Sequence, residues 1–332
     1  MSSENCLHID EEFRQQAYKS FYLLLCPLAF LCNAVVLVVF YKQSCNRKIP
    51  RSAFCVVIMN LALSDFSFSL TLPLRLSYYF NNSEWKHSDW LCRLCQFVFY
   101  VNLYTSIFFL TLVCVLRWLA ITKPHRHRTM ATPTRTLYIC LGIWLFVGVS
   151  TTPFLCKGVT LREEKPRCFE PPLGNSATHI LIINYLALVL GFLLPFLTLI
   201  SCYSSIIRHL RNPSVPSGTV GIQRPNRRRS IHLITMVTVT FLVCFLPYHV
   251  FRTLHIHAAY GQWDCRIMVP LHRGVIVTLC FAAMNSVINP LLYYYFTKMF
   301  RDTVKDIQLS MKSTMEVELC LTEQVQEPQG RL

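Results

Sequence analysis

Charge is scarce in this chain. Only 15% of its 332 residues are Asp, Glu, Lys or Arg, while 53% are hydrophobic. A soluble domain carries about 25% charged residues, so a chain this long and this poor in charge is not an ordinary soluble domain. Acidic residues are missing where basic ones gather. Segments 42–51, 122–135 and 208–229 hold Lys42, Arg47, Lys48, Arg51, Lys123, Arg126, Arg128, Arg135 and Arg227 to Arg229, with no Asp or Glu. The formal charge of +15 does not point to nucleic acid, because the cations sit between apolar runs and not on one soluble face. No Walker-type glycine loop, His-Glu-x-x-His or Gly-x-Ser-x-Gly is present, so catalysis has no visible home and no enzyme is expected. The absence of an internal repeat argues against an inverted-repeat transporter. Residues 1–19 show neither a basic n-region nor a small-residue cleavage site, so the first apolar run is expected to serve as its own membrane signal.

What the chain does have is long apolar runs. Cys92–Ile121 is about thirty residues, enough at ~1.5 Å per residue to cross a hydrocarbon core of ~30 Å with tilt to spare. Two such runs precede it, Phe21–Tyr41 and Ser52–Phe80, and four follow: Thr136–Leu155, His179–Leu210, Ile231–His257 and Val269–Phe296. The spacing predicts an all-α membrane protein, a seven-transmembrane helix bundle with the Cys92 run at its centre. Prolines 27, 73, 195, 247 and 290 lie inside the runs, which membrane helices tolerate better than soluble ones. The acid-free basic segments mark the cytoplasmic side, and an odd number of spans then puts the N-terminus outside. After Tyr293, the apolar residues Phe296, Met299, Phe300, Val304 and Ile307 alternate with Lys298, Arg301 and Lys305, which predicts a short amphipathic eighth helix along the cytoplasmic face. The expected division is an extracellular segment 1–20, a bundle 21–296, a juxtamembrane helix 297–310 and a disordered tail 311–332.

Asp65 is the only acidic residue within the seven runs. A carboxylate at that depth is costly and marks a functional position. Ser106, Asn285 and Asn289 are expected partners, either in a hydrogen-bonded hub or around a hydrated sodium ion. Toward the outer side lie Arg75, Arg252 and Arg273. Tyr248, Arg252 and His255 recur at spacings of four and three, and Tyr100 and Tyr104 at four, so each set shares a helix face. Cations and phenols turned into an apolar cavity suit a ligand with carboxylates and a greasy body. Arginines near helix ends also snorkel to the interface, an account that fits Arg273 better than Arg75.

Most of the sixteen cysteines lie in apolar runs and pack as small hydrophobes. Cys6, Cys92, Cys168 and Cys265 lie at or beyond the edges. Cys92-x-x-Cys95 lacks the second close pair that a zinc site would need. Four outer cysteines allow three pairings. Cys92–Cys168 and Cys6–Cys265 are the expected ones, with Cys95 a rival partner for Cys168. Asn81-Asn82-Ser83 is a glycosylation sequon that hugs the membrane.

Taken in order, these features resemble the rhodopsin-like G protein-coupled receptors over nearly the full length. The matching residues are Asn33; Leu61-Ala62-Leu63-Ser64-Asp65; Cys92 with Cys168; Arg117; Trp144; Pro195 with Tyr203; Phe241 with Cys244-Phe245-Leu246-Pro247; and Asn289-Pro290-Leu291-Leu292-Tyr293. Within that family the chain is similar to the cysteinyl leukotriene receptors. The stretches are Thr71-Leu72-Pro73-Leu74-Arg75, Tyr100-Val101-Asn102-Leu103-Tyr104, Cys168-Phe169-Glu170-Pro171-Pro172 and Pro247-Tyr248-His249 followed by Arg252-Thr253-Leu254-His255. The resemblance implies a cysteine-conjugated eicosanoid ligand held by Arg75, Tyr100, Tyr104, Tyr248 and Arg252, with Arg14, Thr151 and Arg273 as further carry-overs. It also implies a heterotrimeric G protein, of the Gq class with calcium signalling, docking near Arg117, Tyr203 and Tyr293. Phe245, Pro247, Asn289 and Pro290 would belong to the switch.

Two departures stand out. Leu116 occupies the place where the family at large has an acid beside the inner arginine, and Phe245 stands where tryptophan is usual. Phe99 and Ala283 disfavour amine and retinal ligands. A receptor for nucleotides or small dicarboxylates is the alternative reading, and a decoy that binds without signalling is another.

Overall fold

The computed structural model describes residues 10–45, 52–156, 158–162, 165–169, 177–211, 220–296 and 300–309, with positions 313 and 315. Cys6, residues 297–299 and most of the 311–332 tail lie outside the described residues. Among the described residues, seven helices are long and apolar enough to cross a membrane: Glu11–Gln43, Ala53–Phe80, Asp89–Thr122, Pro133–Phe154, Ile180–His209, Ile231–Tyr260 and Cys265–Tyr295. They are the first to seventh spans. The third is the axis: two thirds (67%) of its most apolar window is buried, against 17% for the fourth and fifth. It packs against the second, fourth, fifth, sixth and seventh.

Local chemistry sets the ends and bends. The Ser52 hydroxyl caps the second span by accepting from the Cys55 amide, and Thr132 caps the fourth by accepting from Arg135, with Pro133 at the first helical position. The first helix begins at Glu11, ten residues before the expected start at Phe21. Its early turns are too polar to stand out as a membrane run, yet Tyr18 and Tyr22 are buried, their rings 4.8 and 6.0 Å from that of Tyr79. Much of the segment expected to precede the bundle is therefore its first helix, stabilised by aromatic packing.

Pro195 lacks an N–H and its ring crowds the carbonyl four residues back. The chain absorbs this in a π-helical stretch, Ala187–Leu193, between Ala177–Leu186 and Leu194–Arg211. The sixth span breaks at Phe245, between Val220–Cys244 and Leu246–Tyr260, beside Pro247. The Trp144 indole donates to Asn60 Oδ1 at 3.0 Å and fixes the fourth span on the second.

Between spans, the chain adds two features that periodicity did not announce. A short helix, Pro124–Met130, follows the third span. A hairpin, β1 (Thr160–Arg162) with β2 (Lys165–Arg167), pairs antiparallel with Thr160 opposite Arg167, the one sheet among the described residues. Residues 300–309 are helical, as the amphipathic pattern predicts. Phe300 is buried with its ring 6.1 Å from Phe40, Val304 and Ile307 lie against the core, and Gln43 Nε2 donates to Thr303 Oγ1 at 3.1 Å.

Cys168, next to β2, is disulfide-bonded to Cys92 at the start of the third span. Cys95 is buried and free, so it is not the partner of Cys168. Cys265 is disulfide-bonded, and its expected partner Cys6 is not among the described residues. Cys92→Ser and Cys168→Ser should each strongly reduce correctly folded receptor at the cell surface, as loss of a bridge worth about 2–5 kcal/mol implies. Cys95→Ser should leave it near the parental level, read by surface immunolabelling.

Candidate functional site

Two adjoining cavities occupy the Cys92 end of the bundle. The larger, about 500 Å³, lies among the third to sixth spans; the smaller, about 170 Å³, lies among the first, second, third, sixth and seventh. Gln96, Tyr100, Phe169, Tyr248 and Arg252 line both, so the two meet at that wall.

The larger chamber is mostly apolar. Tyr104, Phe108, Val147, Phe154, Ile183, Leu190 and Ile256 contribute to its wall, and Thr151 and His249 add polar groups. Thr151 spends its hydroxyl proton on Val147 O at 2.8 Å. The ring of Tyr100 stacks on Phe154 with centroids 3.8 Å apart. Tyr104 sits against Gly191, where a Cβ would come within 2.7 Å of its ring, so the glycine is required by close approach. Val149 and Leu186, exposed by 65% and 55%, also belong to the wall, and the chamber opens sideways between the fourth and fifth spans.

The smaller chamber is cationic. Arg14, Arg75, Arg252, His255 and His272 line it. Arg75 is only 4% exposed and donates to Cys95 O at 3.1 Å. Its guanidinium lies over the rings of Phe99 and Phe169, at 4.6 and 4.2 Å from their centroids. Cation–π contacts hold the charge without neutralising it. Among the described residues no carboxylate pairs with Arg75 or Arg252, and the Nε of Arg75 and both ring nitrogens of His255 are buried without a hydrogen-bond partner. Buried donors left unmatched are costly, and an anion that enters would satisfy them.

Arg273 stands apart from this group. Asp10, buried to 1% exposure, pairs with it at 2.7 Å, the guanidinium lies over Phe13, and Arg273 lines neither cavity. Its charge is engaged by Asp10 and not turned into either cavity. Asn81 uses its amide nitrogen to cap the second span, donating to Ser77 O at 2.8 Å, the same nitrogen a glycan would need.

Midway down the bundle, Asp65 has no exposure at all. Asn102 Nδ2 donates to its Oδ1 at 2.8 Å and Asn289 Nδ2 to its Oδ2 at 2.9 Å. Asn102 also reaches Ser64 Oγ, which shares a 2.7 Å hydrogen bond with Thr105. Asn33 Nδ2 donates to Ser286 O at 2.9 Å and ties the first span to the seventh. The Ser106 hydroxyl also turns to Asp65, and the side-chain oxygens of Asn285 and Asn289 are buried without partners among the described residues.

At the Arg117 end, the missing acid beside the arginine has a physical substitute. The Arg117 guanidinium lies 4.1 Å from the ring centroid of Phe54 on the second span. Trp118 Nε1 donates to Ser205 Oγ at 2.9 Å and binds the third span to the fifth. Partial burial and then the nearby Arg117 push His127 of the short helix below its ordinary range, so this imidazole is neutral at neutral pH. Tyr203 is half-buried against the core and Tyr293 is buried. Phe245 is fully buried, 5.5 Å from Phe241 within a stack that includes Phe192, Phe196 and His249.

Sequence reasoning brought Arg75, Arg252, Tyr100, Tyr104 and Tyr248 to one region and missed several of their companions. His249 was legible as the neighbour of Tyr248, and Asn102 as one turn before Ser106. Phe54 carried no signal, since a phenylalanine in an apolar run looks like any other.

These features together define a seven-span receptor architecture with a ligand chamber at one end and a coupling face at the other. The chain belongs to the rhodopsin family of seven-transmembrane receptors, whose family model matches residues 32–293. It is 36% identical over 304 residues to cysteinyl leukotriene receptor 1 of Homo sapiens, covering 91% of this chain and 88% of that one. It is 37% identical over 306 residues to cysteinyl leukotriene receptor 2 of Mus musculus (92% and 95% covered). It is 31% identical over 313 residues to the uracil nucleotide/cysteinyl leukotriene receptor of Rattus norvegicus (94% and 88%). Membership makes it a receptor and not an enzyme, a multi-pass plasma-membrane protein with a small-molecule ligand and a G protein partner.

A cation–π contact contributes about 0.5–2 kcal/mol, so removing the Phe54 ring from Arg117 should shift the resting balance by roughly two- to thirtyfold. Phe54→Leu is expected to raise basal guanine-nucleotide exchange by that factor at equal surface expression. Phe54→Tyr should leave it unchanged.

Proposed function

We propose that this chain is a receptor for cysteinyl leukotrienes, anionic lipids with a cysteine-conjugated head, that signals through Gq and calcium. The observation that carries this reading is the meeting of an apolar chamber with a cationic one across Tyr100, Tyr248 and Arg252. An eicosanoid tail suits the first and its carboxylates the second. The sideways opening between the fourth and fifth spans gives such a lipid a route from the bilayer. Arg75, Tyr100, Tyr104, Thr151, Tyr248, Arg252, His255 and Arg14 form the proposed contact set. The N-terminus and the chamber face outward, and the acid-free basic segments, with Arg117, Tyr203 and Tyr293, face the cytoplasm and take the G protein. Cys6 is the proposed partner of Cys265.

Binding works through differential affinity. A ligand that bridges Arg75 and Arg252 draws the second and sixth spans together and so favours whichever packing around Phe245 and Pro247 allows that. A second reading has its own support: the rat relative is named for a uracil nucleotide as well as a leukotriene, and the cationic chamber would accept phosphate. The apolar chamber has no use in that reading.

Intracellular calcium in cells expressing the full chain, challenged with cysteinyl leukotrienes, uracil nucleotides and small dicarboxylates, separates the two. The lipid alone is expected to respond. Arg75→Ala should weaken it at least about thirtyfold at normal surface expression, since losing one partner of a buried charged contact costs about 2–5 kcal/mol. A nucleotide or dicarboxylate response without a lipid one would overturn the assignment. Labelled lipid that binds without calcium, and without nucleotide exchange on any G protein, would leave a decoy.

The hub around Asp65, with Ser106, Asn285 and Asn289, is proposed to seat a hydrated sodium ion, because a buried carboxyl with a hydroxyl and amide oxygens offers the oxygen ligands a hard cation takes. Replacing choline by sodium should lower agonist affinity in the parent. That difference should vanish in Asp65→Asn, measured by radioligand competition.

A further inference from the structure

Among the described residues, the cationic chamber has one acidic residue in its wall, Glu11. Glu11, Arg14 and Tyr18 recur at spacings of three and four on the first helix and all line this chamber. Every hydrogen bond that Glu11 accepts from the described residues converges on one oxygen. Oε1 accepts from Arg14 Nη2 and Gln15 Nε2, both at 3.4 Å, and from Arg167 Nη1 of the hairpin. Arg167 is 4% exposed and also donates to Ser83 O at 3.1 Å, so it clamps Glu11 to the loop that Cys168 anchors. The clamp accounts for Oε1. It leaves Oε2 unused in a side chain that keeps 22% exposure.

A chamber that only held simple carboxylates would gain nothing from an acid in its wall, since like charges repel. A cysteine thioether is different, because its head carries an α-ammonium beside the α-carboxylate. Resting on the leukotriene reading, we infer that Glu11 Oε2 accepts the α-ammonium of the ligand's cysteinyl head while Arg75 or Arg252 takes the neighbouring carboxylate. Residue 11 then selects amphiphiles with a zwitterionic amino-acid head over those with an anion alone. The three donors already on Oε1 hold the carboxylate in place, so the ligand meets a preorganised acceptor.

The test compares two probes on membranes from cells expressing the full chain: a cysteinyl leukotriene with its free amine and the N-acetyl derivative of the same molecule. N-acetylation removes the charge and keeps the carboxylates. The parent should prefer the free amine by about tenfold, the scale of one charge-assisted hydrogen bond. Glu11→Gln should reduce that preference below about threefold. Arg75→Ala should weaken both probes and leave their ratio intact. A parent without preference, or a preference undiminished in Glu11→Gln, overturns the inference. Should Glu11→Gln fail to reach the surface, the ratio is read in Glu11→Asp, where the shortened side chain should narrow it and an unchanged ratio overturns the assignment. A parent that binds neither probe while answering nucleotides overturns the leukotriene reading itself.

Discussion

A carboxylate with no exposure, deep in a membrane bundle, must find every donor inside the protein, because hydrocarbon supplies none. Asp65 meets this condition with two amides, Asn102 from the third span and Asn289 from the seventh. Three spans are thereby fixed in register by polar groups whose loss would strand a buried carboxyl. The Asn33 and Trp144 contacts extend the same rule to the first and fourth spans. Lipid tails are as apolar as leucine, so the helices gain little by turning their leucines toward one another. Directional contacts around the third span specify where each helix stands, and close packing fills the rest.

The opposite rule operates at the Cys92 end. There the buried charge is positive and aromatic faces hold it, with no carboxylate on Arg75 or Arg252 among the described residues. A guanidinium held by π-faces and one carbonyl remains an attractive partner for an incoming anion. Two acids at this end are already engaged: Asp10 with Arg273, and Glu11 through one oxygen with Arg14 and Arg167. These salt bridges keep both acids off Arg75 and Arg252. The disulfide and the hairpin set this roof in place.

The sixth span runs between the two ends and is interrupted at Phe245, beside Pro247. Phe245 lies in a stack of rings that runs from His249, in the wall of the larger chamber, through Phe192 and Phe241. A ligand pressing on His249 therefore touches the same packed cluster that holds the break. At the far end Arg117 rests on Phe54, a contact weaker than a buried ion pair.

Much of this was legible from the chain alone. The seven spans follow from hydropathy, the significance of Asp65 from its isolation among apolar residues, and the face shared by Tyr248, Arg252 and His255 from helical spacing. Each is a property of one helix read along its own axis. Contacts between helices were not legible, because nothing local ties Phe54 to Arg117 or Asn102 to Asp65, 63 and 37 positions apart. Hydropathy also hid the first ten residues of the first helix, where tyrosine packing and not lipid provides the stabilisation. The pairing of Arg273 with Asp10 closes a separation of 263 positions, and it gives that cation a carboxylate of its own. Sequence by itself determined that this chain crosses the membrane as a bundle with cations at one end. Only the tertiary structure decided which cations remain unmatched, because matching depends on which side chains from distant helices arrive within a few ångströms of one another.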